Sequence, residues 1–412
     1  METAERKDGV DPFTRNLSVL NLIFSFSLSL FSFTIFLYLE SEDIPIILGG
    51  IGLSIGQLVS ILIIIPQGRA IDKGYSFDLM VVGSVLYGIF LLLLYIAVSE
   101  HYIFLLVIPL IVGGFSVLES TFRSSLNSFV AKAVRQKVIG SNYARILTME
   151  TIGSAASFGI MAFGAYESII GLIFLGSGLI LAAFSTLVFT LLSHESKKMA
   201  LEEESKTKRP SLRESFSHLR SLKKFLSRLI SSKVLMSVGT IGFTFFYVPT
   251  GLILGIPPSI TFLFLLATYV VAALLGRYGE KIIDSYTKSG KIFIVLAMLT
   301  DVVTYGLVLI SLRFDSRYLF LISALTSSPG TILISGAMVF EVKIIGRENR
   351  GMFGAVQRLI VGIIAVFMSS LLTLIFSVNY FWMWTTILIT SSASLLMALT
   401  IPTNNTVASV QA

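Results

Sequence analysis

SHESKKMALEEESKTKRPSLRESFSHLRSLKKFLSRLISSK, residues 193–233, is the one long polar interval of this 412-residue chain. It holds Glu202-Glu203-Glu204 and Lys206-Thr207-Lys208-Arg209-Pro210, a density of charge that cannot enter hydrocarbon. Working outward from it, six apolar runs stand on either side, each long enough to cross about 30 Å of lipid with roughly 20 helical residues. They cover 17–39, 44–66, 78–98, 103–123, 146–164 and 168–192 before the interval, and 234–254, 258–276, 292–312, 317–340, 354–376 and 379–401 after it. The expected protein is an all-α integral membrane protein of 12 transmembrane helices. Its two bundles of six span residues 1–192 and 234–412, joined by a linker at 193–233. Composition agrees. Hydrophobic residues make up 54% of the chain, charged residues only 13%, and mean hydropathy is +0.86. A soluble domain carries about a quarter charged residues, so the apolar excess must face lipid.

Several chemistries are excluded. There is no cysteine, hence no disulfide frame, thiolate nucleophile or cysteine zinc site. His101, His194 and His218 all fall between spans, so no intramembrane histidine pair binds a metal; neither metal nor cofactor is expected. No Gly-x-x-x-x-Gly-Lys-Ser/Thr loop occurs, which argues against ATP hydrolysis. The first 16 residues are polar and lack a signal-peptide core, so span 1 is expected to be retained.

Orientation follows from the bases. With the N-terminus inside, every Lys and Arg except Arg313 and Arg317 falls in an inside segment. The positive-inside rule then puts both termini and the linker in the cytoplasm, with the chain in the plasma membrane. The net charge of +7 is thereby a matter of topology; no basic run is interleaved with stacking aromatics, so nucleic acid is not an expected partner. Within 211–233, Leu212, Phe216, Leu219, Leu222, Leu226 and Leu229 recur at helical spacing, while Arg213, Arg220, Lys223, Lys224 and Arg228 fall largely elsewhere on the wheel. That pattern suits an amphipathic helix on the anionic lipids of the inner leaflet.

The halves repeat each other. Pro66-Gln67-Gly68-Arg69-Ala70-Ile71-Asp72-Lys73-Gly74 follows span 2, and Gly279-Glu280-Lys281-Ile282-Ile283-Asp284 follows span 8. Gly346-Arg347-Glu348-Asn349-Arg350-Gly351 after span 10 answers Arg135-Gln136-Lys137-Val138-Ile139-Gly140 after span 4, and Tyr87-Gly88 in span 3 answers Tyr305-Gly306 in span 9. On these residues the chain resembles the major facilitator superfamily over nearly its whole length. Gly68, Asp72 and Lys73 match the family's turn after span 2, although Gly74 comes one residue early and Tyr75-Ser76 replace two bases; Arg350-Gly351 matches its turn between spans 10 and 11. The resemblance implies two pseudo-symmetric six-helix bundles around a central cavity, working by alternating access.

It also implies roles. Asp72 is expected to meet the positive N-terminal end of span 11 and so latch the halves in the outward-open state. In the family, spans 1, 4, 7 and 10 line the cavity. Span 1 carries Ser18, Asn21, Ser25, Ser29 and Ser32 on one face, and span 7 carries Ser237, Thr240, Thr244, Tyr247 and Gly251 likewise at steps of three and four. The expected substrate cavity is therefore Asn21, Ser25, Ser29, Ser32, Thr240, Thr244 and Tyr247; the competing reading is that these polar side chains serve helix packing. Glu119 and Arg123 stand one turn apart near the inner end of span 4, with Glu150 in span 5 and Glu341 and Arg358 in the second half. They read as a cytoplasmic gating network, against plain solvation of helix ends. Asp301, mid-way along span 9, is a candidate proton site.

The expected function is a secondary active transporter of a small solute, with proton coupling as an open feature, acting as a monomer. A membrane-embedded enzyme lacks its machinery here. A non-transporting sensor on the same scaffold and a proton-driven drug exporter are the alternatives, and span 5 lacks the Gly-Pro pair that the family's drug antiporters carry. Hydroxyl-rich, nearly uncharged stripes favour a neutral or amphipathic solute.

Overall fold

Apolar segments in lipid must satisfy every backbone polar group internally, which selects helices. The computed structural model describes residues 12–72, 74–99, 107–133, 139–163, 166–204, 223–285, 290–345 and 350–402, and among these all regular structure is helical. The first half contains α1 (Pro12–Ser41), α2 (Ile46–Asp72), α3 (Ser76–Ser99), α4 (Ile108–Ala133), α5 (Ile139–Phe163) and α6 (Tyr166–Glu204). The second contains α7 (Lys223–Ile253), α8 (Pro258–Ser285), α9 (Gly290–Arg313), α10 (Arg317–Thr326), α11 (Gly330–Ile345), α12 (Arg350–Val378) and α13 (Tyr380–Leu399). Ten of these are long and apolar enough to cross a membrane alone. The other two crossings are α4, which carries Glu119 and Arg123, and the tenth span, which breaks at Ser327-Ser328-Pro329 into α10 and α11. Proline there cannot donate to the preceding turn, so the helix restarts at Gly330.

In the first half α1 packs on α5 and α6, α3 on α4 and α6, and α2 on α4; in the second, α13 packs on α7 and α9, and α9 on α10 and α11. Small residues permit the closest approaches, the usual device where lipid offers no hydrophobic drive between helices. A Cβ on Gly56 of α2 would stand 2.2 Å from the Gly113 carbonyl of α4, and one on Gly153 of α5 would stand 2.1 Å from the Leu22 carbonyl of α1. The repeat is visible in packing: buried Tyr87 of α3 lies 5.0 Å from Phe24 of α1, while buried Tyr305 of α9 lies 6.4 Å from Phe243 of α7. The main contacts between the halves are α5 on α8, α2 on α12, α1 on α7 and α5 on α11.

The linker departs from expectation at both ends. α6 continues to Glu204 and α7 begins at Lys223, so both intrude on the interval 193–233. Leu226 and Leu229 do not face lipid: with Phe225 and Ile230 they pack against Ile294, Met298, Phe340 and Phe353. The cause is capping. Arg228 donates to the Thr400 carbonyl, and Lys291 Nζ donates to the Leu399 carbonyl at 2.7 Å, so two cations satisfy the free C-terminal end of α13 and draw the start of α7 onto it. Leu212, Phe216, Leu219, Leu222, Arg213 and Arg220 lie outside the described residues.

Candidate functional site

The beginnings of α7 and α9 and the end of α13 thus share one face of the molecule, the face to which the sequence assigns the bases. On the opposite face the halves are sealed. Phe36 of α1 meets Phe245 and Phe246 of α7 at 5.6 and 5.1 Å, Phe33 meets Phe243 at 6.2 Å, and Phe158 of α5 meets Tyr269 of α8 at 4.9 Å. Helices α2 and α12 run antiparallel and touch from the outer end inward: Gly50 against Thr373, Ser54 against Val366 and Ser370, Gly362 against Ile61.

Beyond that point the two helices part around a cavity of about 270 Å³. Ile64, Gly68 and Ile71 of α2 form one wall, with Ser120, Arg123, Ser124, Asn127 and Ser128 of α4. Lys233 of α7, Met338 and Glu341 of α11, and Phe353, Gly354, Gln357 and Arg358 of α12 form the other. The site therefore draws on both halves and lies toward the basic face.

Its electrostatics are ordered in layers. Arg123 Nε donates to Glu119 Oε1 at 2.8 Å and its Nη1 to Glu150 Oε1 at 2.7 Å, so one guanidinium ties α4 to α5. Lys233 Nζ stands 2.5 Å from Glu341 Oε1, an ion-pair contact that ties α7 to α11. Each half thus braces its own cavity wall with an internal ion pair. Gln67 Nε2 donates to Ser124 Oγ at 2.9 Å and fixes α2 to α4 behind the wall. Arg358 has no ion pair or hydrogen bond among the described residues.

The gating residues foreseen from sequence are thereby placed in two groups. Glu119, Arg123 and Glu150 meet; Glu341 meets Lys233, which had been read as linker; Arg358 stands apart on the cavity wall. Lys233 was missed because it precedes the apolar run, although its opposite charge to Glu341 at the same depth of the second half was a usable signal. Ser120, Ser124 and Ser128 of α4 recur at four-residue steps, a period legible in the sequence that marks one helix face on the cavity wall. Gly68 lines the cavity. Asp72 ends α2 in the first half and Arg350 and Gly351 begin α12 in the second; Lys73 and the side chains of Asp72 and Arg350 lie outside what is described.

The span 1 stripe is a different matter. Asn21 Nδ2 donates to the Ile146 carbonyl at 3.0 Å and Ser29 Oγ donates to Ser154 Oγ at 2.7 Å, both on α5. Ser25 and Ser32 are buried too, and none of the four is on the cavity wall. The small residues of α5 bring it close enough for Asn21 and Ser29 to bond it, the packing role weighed against the cavity role. On α7, Tyr247 is fully buried, donating to the Phe320 carbonyl at 2.6 Å and stacking on that ring at 4.4 Å, whereas Thr240 is exposed and Thr244 half-buried. Asp301 sits mid-way along α9, its Oδ2 buried without a hydrogen-bond partner among the described residues. Among the described residues, no group of His, Asp and Glu is arranged to hold a metal.

Comparison with solved structures gives the same architecture. The xylose transporter XylE from E. coli, in a partially occluded inward-open conformation, superposes with a TM-score of 0.69 at 11% identity over 95% of this chain and 98% of that one. A bacterial homologue of the iron transporter ferroportin, outward-facing, gives 0.66 at 14% identity over 94% and 99%. The human organic anion transporter MFSD10 gives 0.61 at 13% identity over 94% and 100%. At such identities the likeness is one of fold. No curated protein matches the sequence. The sequence profile of the Major Facilitator Superfamily, however, matches residues 17–357. Taken with the two six-span halves and the cavity between them, that match places this chain in the major facilitator superfamily of membrane transporters.

Proposed function

We propose that this transporter is a secondary active carrier of a small solute that works by alternating access, and that the conformation described here faces inward. The observation that carries the reading is the contrast along one pair of helices: α2 and α12 are hydrogen-bonded near one face and separated by a cavity toward the other. A carrier must expose its site to one side at a time, and two rigid halves rocking about their contacts do so with little change inside either half. The internal ion pairs of Arg123 and Lys233 suit that motion, because each keeps a half rigid without tying it to the other.

In this reading the basic face is cytoplasmic, as the distribution of Lys and Arg requires of a plasma-membrane protein with both termini inside. Asp72 and the start of α12, with Arg350 and Gly351, are the open halves of a latch that closes when the protein turns outward. Gly68 leaves room for that closure, and Thr240 and Thr244 of α7 stay on the transport path. Asp301 is the proposed proton carrier. The protein acts as a monomer, with Arg213 and Arg220 of the linker meeting anionic lipid.

The test uses the absence of native cysteine. A Ser128→Cys variant is exposed to a membrane-impermeant thiol reagent in inside-out and in right-side-out vesicles. Labelling from the cytoplasmic side alone is expected; labelling from the outside alone contradicts the reading.

A further inference from the structure

We propose that the inward cavity holds a small organic monoanion, a monocarboxylate with a short apolar body, and that Arg358 is its counter-charge. The inference rests on the inward-facing transport reading and adds the substrate class, which differs from the neutral solute that the polar stripes suggest. Among the described residues, three cations reach the cavity wall. Arg123 is held by two carboxylates and Lys233 by one, but Arg358 makes no ion pair or hydrogen bond among the described residues. A half-buried guanidinium has lost part of its hydration and gains nothing in return unless an anion reaches it.

The neighbours are suited to complete such a site. Gln357, Ser120 and Ser128 also line the cavity, and their side chains make no hydrogen bond among the described residues, so an amide and two hydroxyls are available on the same cavity wall as the guanidinium or across from it. Arginine presents a planar fork of donors that matches a carboxylate two bonds at a time. Ile64, Ile71, Met338 and Phe353 supply an apolar part of the wall. Arg358 is the lining cation with no carboxylate in contact among the described residues, and one guanidinium pairs with one carboxylate; a dianion would bring a second negative charge with no free cation to meet it. The volume, about 270 Å³, is at the lower end for ligand cavities and fits a compact solute.

The experiment measures protection of the single cysteine in Ser128→Cys from a small thiol reagent, using benzoate as probe and benzamide as its uncharged counterpart. Benzoate is expected to slow labelling by about tenfold once it exceeds its Kd tenfold, and benzamide to leave it unchanged. Adding Arg358→Gln is expected to remove protection while the labelling rate without probe stays the same; Arg358→Lys is expected to keep part of it. Equal protection by benzamide, undiminished protection in Arg358→Gln, or protection by inorganic phosphate in preference to benzoate would overturn the proposal. So would the absence of protection by propionate, hexanoate and benzoate alike. If Arg358→Gln instead alters labelling without probe, Arg358 is a gate and not a subsite. If that variant does not fold, the contrast of benzoate with benzamide decides alone. A cysteine at 128 that never reacts marks failure of the inward-facing reading itself, and the site falls with it.

Discussion

The Ser54 hydroxyl of α2 donates a 2.6 Å hydrogen bond to the Val366 carbonyl of α12, and the bond crosses from one half of the molecule to the other. Ser370 Oγ lies 2.7 Å from the same hydroxyl, so the two serines and the carbonyl form a small polar clasp in an otherwise apolar seam. Toward the basic face the same two helices line opposite walls of the cavity. In the proposed alternating-access cycle the clasp belongs to the inward-facing state and opens in the other.

Ser54→Ala is expected to favour the outward-open state. A hydrogen bond of this kind contributes about 0.5–1.5 kcal/mol, so the balance should move by about two- to tenfold. Thr373→Cys reports it, since that position is buried against Gly50 while the seam is shut. Its labelling should rise in the Ser54→Ala background; an unchanged rate would mean the clasp does not hold the seam.

Arg123 binds two carboxylates through two different nitrogens, a geometry a lysine ammonium cannot copy. Arg123→Lys is expected to lower the thermal unfolding temperature of the purified protein, and Arg123→Gln to lower it further. Both partners are partly solvated, so the loss for Arg123→Gln should be about 1–3 kcal/mol, less than for a sealed pair. Adding Glu150→Gln to Arg123→Gln should recover part of it, because one unpaired carboxylate is then gone.

Glycine contacts give a sharper contrast. Gly56→Ala places a methyl 2.2 Å from a backbone carbonyl that cannot rotate away, whereas a methyl at Gly176 meets nothing within 4 Å. Gly56→Ala should cost about 1–3 kcal/mol through forced separation of α2 and α4. Gly176→Ala should be neutral or slightly stabilising, as alanine is the better helix former. Size-exclusion profiles and unfolding temperatures of the two variants decide it; similar behaviour would contradict the packing described.

Asp301→Asn keeps the shape of the side chain and removes its titration. If the carboxyl carries the coupling proton, solute uptake driven by an imposed proton gradient should be lost in proteoliposomes while solute exchange at equilibrium persists. Uptake that survives the change would remove Asp301 from the coupling path.

Much of the fold is legible in the chain because its solvent imposes one rule, that apolar runs of about 20 residues become helices. The same rule blurs where a span carries charge, as at Glu119 and Arg123, or breaks, as at Pro329. The ion pair of Glu119 with Arg123 is readable from its four-residue spacing, but Glu150 and Lys233 are joined to their partners only by packing between helices. The serine stripe of span 1 shows the limit most clearly. Its period says that Asn21, Ser25, Ser29 and Ser32 share a face, and nothing in the period says whether that face meets water or α5. The deciding feature lies in another segment, where Gly153 and Ser154 let α5 come close enough to take up the hydrogen bonds.

The central claim is that the two halves exchange which face is open, and pulsed electron–electron resonance distances at both faces test it most directly. Spin labels at Tyr75→Cys and Arg277→Cys report the basic face from exposed positions in opposite halves, and labels at Phe163→Cys and Phe314→Cys report the other. Alternating access predicts two distance populations for each pair, with Ser54→Ala shortening the mean on the basic face and lengthening it on the other. A single population at both faces, unmoved by Ser54→Ala, would contradict the account.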